Sequence, residues 1–325
     1  MNYPWQAKQW QQVWQAKETG RLAHGLLLAG LAGTGKLHFA KHFTQALLCQ
    51  HVSPLGEPCH TCHACRLVLT DVHPNVFQVS PEEEGHAIKV DQIRALAEFV
   101  QQSSLQGGYR VAIIHPAHNM NISAANALLK TLEEPAEGAI LILVTDQSGH
   151  LPATILSRCQ RILFPRPEHH EALAWLSAQP HANAPEQALR LAHGAPLLAL
   201  SASQQALMPL RTEVFQALEQ LAAKRTDPLT LAAKWQKTDS VQWLDLLLGF
   251  IADLMKLQLG SQAIHLTNQD QLGALQNCTT LIPLERNAEI MRLALKMRGQ
   301  ISAGINFNKQ LLIESLLIRW ARTAA

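Results

Sequence analysis

The chain has 325 residues, 47% of them hydrophobic and 16% charged, with a formal net charge of +2. That composition suits two or three domains that each bury a core, and it excludes a disordered polymer or a protein drawn to nucleic acid by a global positive field. No apolar run approaches the roughly 18 residues of a membrane span, and Met1–Trp14, rich in Gln and Trp, lacks the pattern of an export signal, so the expected setting is the cytoplasm with no membrane contact.

Gln6–Lys17 has the period of a helix, and Leu22–Ala29 leads into a first strand. Gly30-Leu31-Ala32-Gly33-Thr34-Gly35-Lys36-Leu37 follows, ahead of a helical pattern over Phe39–Leu48. Strand, glycine-rich turn and helix is the context of a phosphate-cradling loop. Gly30, Gly33 and Gly35 let backbone N–H groups converge on a polyphosphate, and the helix N-terminus adds positive partial charge. Lys36 stands where a lysine reaches the β- and γ-phosphates. The next position asks for Ser or Thr, whose hydroxyl ligates Mg²⁺, but Leu37 has no ligand atom.

Four of the six cysteines crowd into positions 49–65. Cys59, Cys62 and Cys65 are separated by two residues each, and Cys49 lies ten positions upstream, at the end of the phosphate-loop helix. In a chain without an export signal this clustering suggests metal more than disulfides. Four soft thiolates suit tetrahedral Zn²⁺ and leave no open position, so the expected role is structural. His60 or His63 could replace one thiol, and a bacterial-type iron–sulfur run would want a further cysteine where Leu69 stands. Cys159 and Cys278 read as core residues.

Val76–Val79 reads as a second strand, and Asp91 is the expected N-cap of a helix with Ile93, Leu96, Ala97 and Val100 on one face, broken at Gly107-Gly108. Tyr109–His115 is a third strand. A helix starting at Asn121 or Ser123 puts Ala125, Leu128, Leu129 and Leu132 on one face before Pro135 stops it. Ala139–Thr145 and Arg161–Phe164 complete the strands, whose alternation with helices implies a parallel sheet covered on both faces.

The strand signal ends at the linker Phe164-Pro165-Arg166-Pro167. Short helices over Glu168–Ser177 and Glu186–His193 follow, and Gly194-Ala195-Pro196 turns into a third. From Met208 only helical periodicity remains, about six helices broken near Asp227-Pro228, Thr238-Asp239, Gly260, Ile282-Pro283 and Gly304. The tryptophans Trp175, Trp235, Trp243 and Trp320 read as core or interface anchors. Three domains are expected: an α/β domain over residues 1–166 with the cysteine insertion at 49–69, a small helical lid over 167–207, and an all-α domain over 208–325.

A nucleotide-hydrolysing body also needs a strand ending in Asp and then Glu, the first to hold Mg²⁺ and the second to orient the attacking water. The strand that should carry them, Val111-Ala112-Ile113-Ile114, runs into His115-Pro116. Neutral imidazole is a poor Mg²⁺ ligand, and proline has no functional group to offer. Leu37, His115 and Pro116 thus leave the magnesium and water-orienting positions empty of the required chemistry.

Asn126-Ala127-Leu128-Leu129-Lys130-Thr131-Leu132-Glu133-Glu134-Pro135, followed by Ser157-Arg158-Cys159, strongly resembles the clamp-loader branch of the AAA+ ATPases. Lys89-Val90-Asp91-Gln92-Ile93-Arg94, His73-Pro74 and the loop cysteines fit the same branch, so the resemblance covers residues 20–200 by motif. It implies an α/β AAA+ body with a parallel five-stranded sheet, a helical lid and a C-terminal domain that joins a collar. The departures at Leu37, His115 and Pro116 resemble the loader subunit that does not hydrolyse ATP, as does Ala195-Pro196-Leu197-Leu198, where motor subunits carry a nucleotide-sensing arginine.

The implied partners are the gamma/tau motor subunits and the delta subunit and, through the complex, the sliding clamp and primed DNA. In the family, the arginine matching Arg158 projects into a neighbour's ATP site, where a planar guanidinium forks onto γ-phosphate oxygens. The intact Gly30–Lys36 loop leaves weak nucleotide binding, and with it ATP and Mg²⁺, open. Two other readings also stay open. One is an ATP-hydrolysing motor subunit of the same loader; the other is a nucleic-acid-binding module built on the thiolates, although residues 49–69 hold a single Arg or Lys, Arg66.

Overall fold

The computed structural model describes residues 3–83, 86–102, 108–180, 184–204, 207–302 and 308–322; the helix breaks expected at Gly107 and Gly304 lie outside them. Five strands, β1 (Gly25–Gly30), β2 (Val76–Val79), β3 (Arg110–Ile114), β4 (Ala139–Thr145) and β5 (Gln160–Phe164), form one sheet in the order β2-β3-β4-β1-β5. Every neighbouring pair is parallel. α1 (Ala7–Glu18) precedes the first strand, α2 (Lys36–Leu48), α3 (His63–Leu69), α4 (Val90–Gln101), α5 (Ile122–Glu133) and α6 (Ala153–Leu156) run between the strands, and α7 (His169–Ser177) follows the last.

Side-chain alternation sorts the strand residues onto two faces. Leu27, Ala29, Ala112, Ile114, Leu141 and Leu143 belong to one buried cluster, completed by Ile93 and Leu96 of α4 and Leu128 and Leu132 of α5. Leu26, Leu28, Val111, Ile113, Ile140 and Ile142 belong to the other, against Trp10 and Trp14 of α1 and Phe39 and Phe43 of α2. Buried from both sides, β3 and β4 can carry only apolar residues along most of their length, which is why they stand out in the sequence as continuous runs. The register pairs Ala29 with Thr145 and Gly30 with Phe164, so the loops after β1 and β4 leave the sheet side by side.

The helix termini show what the local sequence can and cannot specify. Asn121 caps α5 through its side chain, accepting from Ala124 N–H at 2.8 Å. Asp91 is not a cap: α4 starts at Val90, and the Gln92 side chain accepts from Lys89 N–H at 2.9 Å, leaving Asp91 within the first turn. A carboxylate there still complements the positive end of the helix dipole, which explains why its sequence signal resembles that of a cap.

By contacts the chain divides into two compact units, Met1–Ala178 with Gly194–Leu198, and Gln179–His193 with Ala199–Ala325. The dividing line passes through residues 167–207, so that α7 lies with the α/β unit while α8 (Pro185–Leu191) lies with the helical one. After α9 (Pro196–Gln204) the chain forms α10 (Leu207–Ala222), α11 (Pro228–Trp235), α12 (Ser240–Gln258), α13 (Leu272–Leu281), α14 (Leu284–Ser302) and α15 (Lys309–Ala321). The Asp-Pro and Thr-Asp breaks are N-caps: Asp227 accepts from Thr230 N–H and Asp239 from Gln242 N–H, both at 2.8 Å.

The helical core is aromatic at its centre. Phe250 meets Phe215 at 4.8 Å and Trp320 at 5.9 Å between ring centroids, and Trp320 Nε1 donates to the Leu218 carbonyl at 3.0 Å. Its buried charges are matched: Asp253 accepts from Asn268 N–H at 2.7 Å and from the Asn268 side chain at 2.8 Å, while the Arg211 guanidinium donates to Asn268 Oδ1 at 2.9 Å and also pairs with Asp270. Phe250→Ala should therefore destabilise the helical unit by about 3–5 kcal/mol. Urea unfolding measures this, and a loss below about 1 kcal/mol would show that the aromatic centre repacks without cost.

Candidate functional site

Lys36 begins α2 immediately after the glycine turn, and its side chain is only 3% exposed. The first glycine is fixed by the sheet: a Cβ on Gly30 would lie 2.0 Å from the Phe164 carbonyl oxygen, so only glycine allows β1 and β5 to come this close. Gly35 has φ +84°, and a Cβ there would meet the Tyr3 ring at 2.5 Å.

The loop is already engaged by the rest of its own unit. Trp5 Nε1 and Gln6 Nε2 donate to the Thr34 carbonyl at 2.9 and 2.8 Å, and Leu197 N–H donates to the Gly33 carbonyl at 3.1 Å. Tyr3 and Trp5 stack at 5.0 Å and stand edge-on to Trp175 at 5.5 and 5.4 Å. The sequence gives no hint of this cover, because it joins residues far apart in the chain.

The Lys36 ammonium points to protein oxygens. Its Nζ lies 2.6 Å from the Leu31 carbonyl and 2.6 Å from Asp146 Oδ1. Asp146 was missed by sequence reasoning. The available signal was its place one residue beyond β4, next to the strand that feeds the glycine turn.

Gly33, Gly35, Lys36, Leu37, His115 and Asp146 are among the residues around a cavity of about 200 Å³, smaller than the roughly 300–1,000 Å³ usual for small-molecule sites. His115 and Leu37 thus both border the cavity at the loop. Burial pushes the His115 imidazole below its ordinary range, against the pull of Asp146, and burial does the same to His118, whose Nδ1 lies 3.0 Å from Thr145 Oγ1. Both rings are therefore neutral near pH 7 and add no positive charge to the loop.

Behind α2, the sulfur atoms of Cys49, Cys59, Cys62 and Cys65 all lie within 4.8 Å of one another, with Cys59 and Cys65 3.9 Å apart. Zn–S bonds of about 2.3 Å would set tetrahedral S–S edges near about 3.8 Å, so the grouping fits one ion. Backbone N–H groups of His51 and Cys59 point at Cys49 Sγ, and that of Cys62 at Cys59 Sγ, each at 3.3 Å; Cys65 N–H points at Cys62 Sγ at 3.4 Å. The Cys62 N–H holds the Cys59 thiol down at about 5, whereas burial pushes Cys49 and Cys65 up. All four become thiolates together only around a cation, and the four can hold a metal ion.

His60 and His63 are exposed and lie outside this group. The cluster is tied to α2 by Gln45, which donates to the Cys65 carbonyl at 3.2 Å, and by His42, 2.9 Å from Glu57. Burial lowers His42 to about 4 and leaves it uncharged in that contact at neutral pH. Cys159 and Cys278 stand apart, their thiols pushed up by burial to about 11 and about 12, as suits core residues.

Arg158 follows α6 and is partly exposed. Its guanidinium meets Glu133 Oε1 of α5 at 2.5 Å and donates to the Thr154 carbonyl at 3.0 Å. A Cβ on Gly25 would lie 3.4 Å from the Arg158 carbonyl oxygen, which puts this arginine beside the start of β1. Lys36 follows the end of the same strand, about 16 Å further along. The two cations lie toward opposite ends of β1, and the structure does not bring them together.

A family model described as "DNA polymerase III, delta subunit" matches residues 5–168, and one described as "DNA polymerase III, delta subunit, C terminal" matches residues 205–322. The chain is 34% identical over 322 residues to the DNA polymerase III subunit delta' of Pseudomonas aeruginosa, covering 98% of this chain and 97% of that one. It is 40% identical over 146 residues to the DNA polymerase III subunit tau of Bacillus subtilis, covering 45% of this chain and 25% of tau. Among solved structures, a DNA polymerase III gamma subunit-related protein of Thermotoga maritima aligns over 97% of this chain and 100% of its own, at 18% identity and a TM-score of 0.47.

The sulfur cluster yields a direct expectation: one metal ion per chain, lost when Cys62→Ser and Cys65→Ser are combined. Metal analysis of protein purified without added metal checks this. A folded wild-type chain free of metal would contradict it.

Proposed function

The chain belongs to the DNA polymerase III delta-prime subunit family, and on that premise we propose that it is the non-hydrolysing subunit of a bacterial clamp loader. It would work within the DNA polymerase III holoenzyme, in the cytoplasm. The observation that carries the reading is the state of the nucleotide loop. Lys36 is buried against Asp146, and Leu37, His115 and Pro116 stand where magnesium and water would be managed. Loss of those groups removes most of the electrostatic stabilisation that phosphoryl transfer requires.

Arg158 then acts on a neighbour's ATP. Its place at the far end of β1 from Lys36 supports action in trans, because it cannot reach its own loop without unmaking the sheet. The four thiolates hold structural Zn²⁺, the sulfur-only donor set favouring that ion. Residues 1–166 form the AAA+ body, 167–207 the lid and 208–325 the collar domain. The partners are the gamma/tau motor subunits and the delta subunit, and the assembled complex opens the sliding clamp on primed DNA. A body without its own switch gives the motor subunits a fixed surface to move against.

One observation favours a second reading, that of a motor subunit with a diverged site: the stretch that is 40% identical to tau, together with the retained Lys36. Phosphate release from the purified chain, with Mg²⁺ and with or without primed DNA, separates the two. No turnover is expected. Turnover that survives gel filtration and disappears in Lys36→Ala would establish the motor instead.

Arg158→Ala should leave folding, metal content and assembly unchanged, since a partly exposed ion pair contributes little to stability. It should nevertheless slow ATP hydrolysis by the reconstituted loader, and clamp loading with it. A trans-acting arginine is worth about 10³–10⁵ at the site it serves, diluted in the total by the other sites. Single-turnover hydrolysis by the complex is the measurement, and Arg158→Lys should rescue only in part, lacking the fork. Wild-type rates in the Arg158→Ala complex would reduce this arginine to a helix-end residue.

A further inference from the structure

We propose that Asp146 is a built-in competitor for phosphate at the Gly30–Lys36 loop, and that its carboxylate, more than any defect in the loop, keeps polyphosphate out. This rests on the reading of the chain as a non-hydrolysing subunit and names what closes its site. The loop itself retains the parts of a phosphate cradle: the glycines, the following helix and the lysine. The lysine is already neutralised. Asp146 Oδ1 lies 2.6 Å from Nζ, with the Asp146 side chain 32% exposed and that of Lys36 only 3% exposed. The carboxylate therefore sits on the solvent side of the ammonium, and an entering phosphate must displace it.

Displacement is opposed twice. A buried ammonium gives up one anion only for another at least as well placed. The arriving phosphate would also leave two anions crowded beside one cation. The other groups at the loop do not relieve this charge: His115 and His118 are kept neutral by burial, and Leu37 cannot hold a magnesium ion. Without Asp146, Lys36 would keep the Leu31 carbonyl, 2.6 Å away, but have no anionic partner among the described residues. The ligand class that answers such a site is a pyrophosphate or the polyphosphate of a nucleotide, held by loop N–H groups and one lysine without metal.

Pyrophosphate is the probe, titrated calorimetrically into the full-length chain in the absence of magnesium. Asp146→Asn and Asp146→Ser should each bind it at least about tenfold more tightly than wild type, as expected when a closed state stops competing with the ligand. Pyrophosphate should raise their melting temperatures and not that of wild type. Lys36→Ala added to either variant should abolish the gain. Folded variants, judged by melting transitions, that bind pyrophosphate no better than wild type would overturn the proposal and leave the pair as mere neutralisation of a buried lysine. ATP turnover by the wild-type chain tests the non-hydrolysing reading separately, since a loop can bind anion and still lack the means to cleave it.

Discussion

An ammonium group taken out of water must find an anion, and in this chain it finds one of its own. The Lys36–Asp146 pair bridges the neighbouring strands β1 and β4 just beyond their carboxyl ends. Around it the rest of the site is arranged: the glycine turn that folds the lysine inward, the neutral imidazoles beyond β3, and the N-terminal aromatic turn that bonds to the Thr34 carbonyl from outside. A phosphate loop ordinarily presents its donors to solvent, in wait for a ligand. Here the lysine and the carbonyls of Leu31, Gly33 and Thr34 are engaged internally, which makes the loop a structural corner as much as a binding element.

The same economy of charge separates the sulfur cluster from the loop. Four thiols on neighbouring turns cannot all ionise without a cation, because burial acts against two of them. The cluster lies behind α2, joined to it by Gln45 and the His42–Glu57 contact. A metal there would anchor the insertion to the helix whose first residue is Lys36. Such a metal would link two sites that share no ligand, giving the cysteine loop a mechanical place in the body.

How much of this is legible in the sequence follows from the range of the interactions. The strands β3 and β4 are readable because burial on both faces demands uninterrupted apolar runs, and the breaks at Asp227-Pro228 and Thr238-Asp239 because a cap and its helix are adjacent. The cysteine set is readable because its spacing is itself the signal. Asp146 and Glu133 are not readable: each becomes important only through strand register or helix packing that brings it to a cation distant in sequence. Tyr3, Trp5 and Gln6 hide for the same reason. Asp91 shows the opposite failure, a correct local preference satisfied two positions beyond the cap residue, Lys89.

The placement of Lys36 and Arg158 at opposite ends of one strand makes the body directional. On the proposed reading, such modules join head to tail, each presenting an arginine end to a loop end, and heterologous contacts of that kind repeat indefinitely unless something closes or stops them. A member whose loop end is filled by its own carboxylate and aromatic turn would break that series, still serving the neighbour on its arginine side but asking nothing of the one beyond. The chain is then a terminus: it gives a row of similar bodies a first position, and with it an order in which the others can act.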